Sequence, residues 1–356
     1  MPPVAVRILH PGPDPSAGAL GRWVLDVRAA LAERHRLGFL AAGADDVAIV
    51  TDPPDGRSFG DRLRELVAGG AAGGLVVLGS GSIPLAAATD RRVFVAAAGR
   101  DGREALANNR YSADIVAISR VESLPAIPEL CGDNDLPRWL AEVAGYGVAD
   151  LRRRWRLAID IDGPFDVLLA GGGGASEAAQ ILGIETGPVR ETIRRVSQVA
   201  TDPTTELLIV GRTSAGTLAW LERSTASRTR AWIEERGLRT SKPGQRAPAS
   251  VLGSLVERDG PGSLGGHLVR FADAALVDTR VLLAHRLGPD EAAWPVAEDR
   301  FASDLLLADR IEDPWLRELT ASAAAASIPV LLGGHTLVGP GVRLVVGRSR
   351  RGASWT

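Results

Sequence analysis

Asp160 and Asp162 stand two residues apart, after the apolar Leu157-Ala158-Ile159 and just before Gly163-Pro164. Residues i and i+2 of a strand point to the same face. The spacing therefore predicts two carboxylates projecting together at a strand's end, where they could hold a divalent cation or meet a ribose hydroxyl. Pro164 suits the first turn of a helix, where its missing N–H is not needed. The same carboxylates could instead cap that helix or pair with arginines.

The second half of the chain carries another set of reactive types. Asp278-Thr279-Arg280 sits in an apolar run and is followed by His285-Arg286; Glu298-Asp299-Arg300 and Asp304 follow, and Gly333-Gly334-His335-Thr336 comes after Val330-Leu331-Leu332. Charges embedded in apolar segments are costly unless paired. Either Asp278 pairs with Arg280 and Asp299 with Arg300, or these residues line a polar pocket in which His335 or His285 acts as a general acid or base. No H-x-x-x-H or similar spacing supports a metal there. Val210–Gly216 (Val-Gly-Arg-Thr-Ser-Ala-Gly) has glycines, hydroxyls and an arginine between a strand and a helix. That suits an anion site or a Ser/Thr-capped helix, and it lacks the G-K-S/T of a P-loop.

The elements that must position these groups alternate. Strands are predicted at 4–9, 47–51, 74–79, 113–119 and 157–161, with helices at 16–41, 59–67, 89–98, 136–144 and from 165. Pro53-Pro54-Asp55-Gly56 reads as a turn. Beyond Gly171–Gly174, helices are predicted at 175–182, 189–200, 217–224, 264–271 and 314–325. Strands are predicted there at 206–210, 228–234, 274–283, 329–332 and 342–346, with a polar loop at 240–249. The alternation predicts an α/β fold with largely parallel sheets. The glycine run divides it into domains 1–172 and 173–356.

With 356 residues the chain can bury two cores, and a net charge of −2 argues against nucleic acid as a partner. Cys131 is the only cysteine and Lys242 the only lysine. One cysteine permits no intrachain disulfide and suits a reducing cytoplasm. No apolar run approaches a membrane span, and the N-terminus lacks the regions of a signal peptide.

Four segments in the first half, covering about residues 37–170, resemble the GT-A-type nucleotidyltransferases, especially the molybdopterin-cofactor and phospholactate guanylyltransferases. Leu37–Asp52 is similar to that family's helix and strand before the active-site strand. Leu75–Leu85 (Leu-Val-Val-Leu-Gly-Ser-Gly-Ser-Ile-Pro-Leu) is similar to an apolar strand ending in D-x-P-L, whose Asp binds metal. Ala107–Ile118 resembles the T-N-A-L-type segment that meets the acceptor. Asn134–Asp162 ends in Asp-Ile-Asp-Gly-Pro, like the family's D-x-D-T-P signature. Two features depart from the pattern. Ser82 stands where the family has its metal-binding Asp. The opening loop, His10–Arg22, has glycines and one arginine but no lysine, and three prolines remove N–H donors.

The resemblance implies a GT-A-like (Rossmann-like) first domain that transfers a nucleoside monophosphate from a nucleoside triphosphate to a small phosphorylated acceptor, with Mg2+ as cofactor. Asp160 and Asp162 would carry the metal or ribose, with Arg110 beside them in catalysis. Gly12, Gly18, Arg22, Ser80 and Ser82 would meet the nucleotide, and Asn108 and Asn109 the acceptor. Asn108-Asn109-Arg110 could equally be a structural turn. Two other functions stay open: a catalytically degenerate nucleotide- or metabolite-binding or scaffold protein, and an enzyme whose site is the C-terminal set Asp278, Arg280, Asp299, Arg300 and His335. A homo-oligomer is compatible with all three.

Overall fold

The computed structural model describes residues 2–52, 57–69, 73–130, 132–171, 174–238 and 246–347. The turn expected at Pro53–Gly56, Cys131, Lys242 and the middle of the glycine run lie outside these residues. The chain divides into two compact units. The first comprises Met1–Ser16 and Leu25–Asp162, the second Ala17–Val24 and Gly163–Thr356.

The first unit contains β1 (Val4–Pro11), α1 (Ala19–Ala41, from Leu25 onward), β2 (Asp46–Asp52), α2 (Phe59–Ala68), β3 (Gly74–Gly79) and α3 (Ala88–Ala98). It continues with β4 (Glu104–Ala107), β5 (Ile115–Ile118), α4 (Leu136–Glu142) and β6 (Gly147–Asp150). The sheet order is β2-β1-β3-β5-β4-β6. It is mixed: β1 runs parallel to β2 and β3, whereas β5 is antiparallel to both its neighbours. Two-residue alternation sorts the strand side chains. Val4, Val6, Ile8, Val76, Leu78, Ile115 and Ala117 pack with Phe39 of α1 and Phe94 of α3. Ala5, Leu75, Val77, Val116 and Ile118 pack with Leu63 of α2 and with Leu136, Trp139 and Leu140 of α4. Helices thus cover both faces.

The reversal of β5 has a consequence for the site. An antiparallel strand presents its N-terminal end where its parallel neighbours present their C-terminal ends. Asp114, just before β5, therefore lies at the same edge as the loop after β3, and its carbonyl accepts from Gly79 N–H at 3.4 Å.

The second unit contains α5 (Pro164–Ala170), α6 (Gly174–Ile181), α7 (Gly187–Val199), β7 (Glu206–Gly211), α8 (Ala215–Ser224), β8 (Arg228–Ile233), α9 (Val251–Asp259) and α10 (Leu264–Val269). Then come β9 (Ala274–Asp278), α11 (Thr279–Leu287), α12 (Ala297–Asp304), α13 (Pro314–Ala324), β10 (Val330–Gly333), α14 (His335–Val338) and α15 (Val342–Val346). Its sheet is wholly parallel, in the order β10-β9-β7-β8. β7, β9 and β10 are apolar and buried, as parallel strands covered on both faces require, whereas the edge strand β8 (Arg-Thr-Arg-Ala-Trp-Ile) is largely exposed. No helix among the described residues is long and apolar enough to cross a membrane.

The division falls between Asp162 and Gly163; the sequence had placed it at 172/173. Every residue of α5 is buried, and the helix packs on α12, α14 and α15 of the second unit, so it is held there and not by the glycines that follow it. Three predicted strands are corrected. Residues 157–161 form a single 3-10 turn at Trp155–Ala158 followed by an isolated bridge. Within 274–283 the strand ends at Asp278, and α11 begins at once. Residues 342–346 are helical.

Gly211 ends β7 with φ +125°, a conformation that L side chains rarely adopt, and a Cβ there would lie 2.4 Å from Cβ of Asp278. Gly211→Ala is expected to destabilise the protein by about 2 kcal/mol or more through strain and clash. Chemical denaturation measures it, and an unchanged midpoint would show that this turn is not under such constraint.

Candidate functional site

In the first unit, Ser82 and Asp160 face each other in an isolated antiparallel bridge. Ile161 N–H donates to the Gly81 carbonyl at 3.0 Å. Gly81 is required by this close approach, because a Cβ would lie 2.9 Å from Asp160 Oδ1, from the Ile161 carbonyl and from Arg28 Nε. The bridge is supported from two sides. Arg28 on α1 donates Nε–H to the Ile161 carbonyl at 2.6 Å and reaches Asp162 at 3.2 Å. Asp90, fully buried at the start of α3, binds Arg154 at 2.8 Å and Arg156 at 2.7 and 2.9 Å. These pairs tie down the turn at 155–158, so the chain bends where the sequence suggested a strand.

Ser82 is held independently. His35 on α1 donates Nε2–H to the Ser82 carbonyl at 2.8 Å. Burial, with Arg91 and Arg34 nearby, lowers the His35 pKa to about 3, so the ring is neutral and its tautomer follows from the carbonyl it serves. Ser80 is buried, and its Oγ lies 3.0 Å from Nδ1 of His10.

Asp160 is the electrostatic centre. Burial, Asp162 and then Asp114 push its carboxyl well above the usual range, only partly offset by Arg28. Asp162 is the like charge that acts most strongly on Asp160, and two such neighbouring carboxylates disfavour ionising together. Two neighbouring carboxylates could hold a divalent cation whose other positions are taken by phosphate oxygens. Among the described residues, no group of three or more His, Cys, Asp or Glu side chains could hold a metal ion. Any cation here would rest on Asp160 and Asp162, because Ser82 adds no charge.

The remaining expected residues separate. Asn108 is buried, and its amide is fully used: Nδ2 donates to Asp114 and to the Leu157 carbonyl at 2.7 and 2.8 Å, and Oδ1 accepts from Asp114 N–H and Ile115 N–H. An asparagine has two donors and two acceptor lone pairs, so Asn108 positions Asp114 and has nothing left for an acceptor molecule. Asn109 Oδ1 accepts from Tyr111 N–H, which makes a local turn. The Arg110 and Arg152 guanidiniums each lie 5.6 Å from the exposed Tyr111 ring.

The opening loop is not an open phosphate cradle. Gly12 is buried after β1 in the first unit. Gly18 and Arg22 belong to the second unit, where Arg22 donates to the Ala17 carbonyl and Gly18 lies beside Glu298. Leu20 and Gly21 N–H donate to the Glu298 carboxylate at 2.9 and 3.1 Å. A carboxylate of the protein thus fills the anion position at this helix N-terminus.

The C-terminal set is rearranged as well. Asp278 ends β9 and is bound bidentately by Arg212, after β7, at 2.6 and 3.1 Å. Arg280 is bound bidentately by Asp304, one contact being 2.7 Å. The pairs are therefore not Asp278 with Arg280 and Asp299 with Arg300. Asp299 instead accepts from Glu312 and Asp313 N–H at 2.9 and 2.8 Å, which fixes the turn into α13. Arg300 reaches Glu291 at 3.1 Å and stacks over Trp294. His335 is exposed near Asp278; His285 Nδ1 accepts from Ser250 N–H at 3.2 Å. Burial pushes the Asp278 carboxyl up, but Arg212, His335 and Arg280 together bring it below its ordinary value. For Asp304, burial outweighs Arg280 and raises it. In Val210–Gly216, Ser214 caps α8 by accepting from Thr217 N–H at 3.1 Å.

Sequence reasoning missed His10, Arg28, Asp114 and Arg212 as members of these two clusters. His10 had a readable signal: it stands at the carboxyl end of the first strand, where α/β sheets place ligands.

Arg212→Ala leaves Asp278 buried without its partner and is expected to cost about 3–5 kcal/mol in denaturant unfolding. The double variant with Asp278→Ala should recover part of that loss, and strict additivity would contradict the pairing. Asp160 gives a pH-dependent expectation. Its folded pKa is raised, so the ionised form is penalised in the folded state; the penalty is absent below the unfolded value and grows as pH rises through the folded one. Asp160→Asn should therefore stabilise the metal-free protein at pH 7 by on the order of 1 kcal/mol, with the gain shrinking as pH falls toward 4. Urea midpoints across that range measure it, and a loss of stability at pH 7 would contradict the charge assignment.

No protein-family model matches this chain, and no curated protein matches it.

Proposed function

We propose that the first unit carries a nucleotidyl-transfer site of the GT-A type. In this reading a nucleoside triphosphate binds along the carboxyl edge of β1 and β3. A small phosphorylated acceptor attacks the α-phosphorus, the bond to the β-phosphate oxygen breaks, and pyrophosphate leaves. The observation that carries the reading is the Ser82–Asp160 bridge, which joins the two segments that most resemble that family. Asp160 and Asp162 would hold Mg2+, whose bound charge would neutralise the phosphates. Arg110 and Arg152, both beside the Tyr111 ring, offer positive charge to an acceptor's phosphate. Gly81 allows the Asp160–Ile161 backbone to approach closely at the strand end.

A second reading is favoured by Arg28. Its guanidinium already sits against Asp162, so the site holds a fixed cation of its own. A nucleotide or metabolite could then bind without metal and without turnover.

Calorimetric titration of ATP, GTP, CTP and UTP, each with and without Mg2+, separates the two. The transfer reading expects at least one nucleotide to bind in a Mg2+-dependent way. It also expects Asp162→Asn to abolish that dependence and Ser82→Asp to tighten it several-fold by adding a carboxylate ligand. A nucleotide at a hundred times its dissociation constant should stabilise the protein by about 2.7 kcal/mol. Binding that ignores both the metal and Asp162→Asn would replace transfer with the second reading; no binding of any of the four would remove transfer and leave the second reading only as metabolite binding.

A further inference from the structure

Several groups hold chemistry that the proposed transfer leaves unused. Arg212 is paired with Asp278 and Arg280 with Asp304, and Glu298 is taken up by the first turn of α1. The pair of His10 and Ser80 is different, because only one nitrogen of the ring is engaged in it.

The sheet topology puts this pair in a particular place. From β1 the chain passes to β2 on one side and then to β3 on the other. The connections diverge between β1 and β3, and ligands of open α/β sheets bind at such a switch point, outside the carboxyl ends of the strands. His10 is the next-to-last residue of β1, and Ser80 directly follows β3. Ser80 N–H donates to the Leu9 carbonyl at 2.8 Å, which fixes the hydroxyl against β1. Its Oγ then lies 3.0 Å from His10 Nδ1. The imidazole is half-buried, so it is neither sealed in the core nor free in solvent. Arg28 links it to the acidic pair, since the same guanidinium that touches Asp162 also acts on His10.

We propose that His10 is the general base of this site, with Ser80 as its positioning residue, and that the atom attacking the nucleotide is an acceptor hydroxyl. This inference rests on the nucleotidyl-transfer reading. A phosphate oxygen is already anionic and needs no base; a hydroxyl does. The acceptor's phosphate then serves as a handle and its hydroxyl as the nucleophile. With Nδ1–H donated to Ser80 Oγ, the lone pair stays on Nε2. The hydroxyl oxygen forms the new bond to the α-phosphorus and its proton passes to Nε2. The bond to the pyrophosphate oxygen breaks, and its electron pair leaves with pyrophosphate. The histidinium later gives the proton to solvent. Burial and then Arg28 hold the His10 pKa below its ordinary value, which keeps the ring neutral and able to accept.

The test reads the ring directly. The full chain has five histidines, so long-range proton–nitrogen NMR of the histidine-labelled protein can be assigned with His10→Asn. The expected result at pH 7 is a neutral His10 ring protonated on Nδ1, with Nε2 shifted when a nucleotide from the titration above is added with Mg2+. Ser80→Ala should release the tautomer preference while the protein stays folded. A ring protonated on Nε2, or charged at pH 7, overturns the base role even if nucleotide binds, and the transfer reading then stands without it. The expected tautomer with no response to any nucleotide overturns the transfer reading and the base role with it.

Discussion

The bridge between Gly81-Ser82 and Asp160-Ile161 is the contact on which the first unit's chemistry depends. It joins the loop after β3 to a segment far along the chain that belongs to no strand. Its backbone hydrogen bond is ordinary in length, yet the approach is possible only because Gly81 has no side chain. Arg28 and the Asp90 pairs fix where the second segment runs. The result is a concentration of negative charge: Asp160, Asp162 and Asp114, partly offset by Arg28. Such a cluster is costly in a folded protein, and the raised Asp160 carboxyl that results is what makes the place chemically distinctive.

The second unit uses the same residue types to the opposite end. Arg212 and Asp278 meet where the chain's path diverges between β7 and β9, the position at which a ligand would be sought in a parallel sheet. Both are buried, and each satisfies the other's fork geometry. Thr213 and Thr279 hydroxyls donate to the Val338 and Gly333 carbonyls, so the segments after β7, β9 and β10 are interlocked. Buried ion pairs of this kind add little net stability but are expensive to break. They specify one arrangement of these turns. The contrast between the units is that one switch point holds a buried ion pair of the protein's own, and the other presents an imidazole nitrogen and an acid pair.

Much of the fold was legible because apolar alternation and capping are local. The strands expected at 74–79, 206–210 and 329–332 and the helices expected at 59–67, 189–200 and 314–325 fall within two residues of those observed, and Ser58 and Asp313 cap two of these helices. The failures have a common cause. Thr279–Leu287 and Val342–Val346 are short apolar runs that suit a buried strand or a buried helix equally, and only packing chooses between them. The four-residue strands Glu104–Ala107 and Gly147–Asp150 are too short to show a period. Trp155–Ala158 is bent by Arg154 and Arg156 reaching Asp90, a partner no local pattern reveals.

By itself the sequence determined the inventory: the i, i+2 acid pair, the glycines that permit close approach, a histidine at the end of β1, and apolar strands that demand covered sheets. The tertiary structure decided the partners. Asp278 pairs with Arg212 across the sheet and not with Arg280 two residues away, because a strand that turns directly into a helix sends those two side chains in different directions. Asn108, readable as a substrate contact, is consumed in holding Asp114. The raised carboxyl of Asp160 is set partly by Asp114, which only the reversal of β5 brings near. Electrostatic energies depend on separation through space and on the medium between the charges. Spacing along the chain sets neither once the chain has turned back on itself.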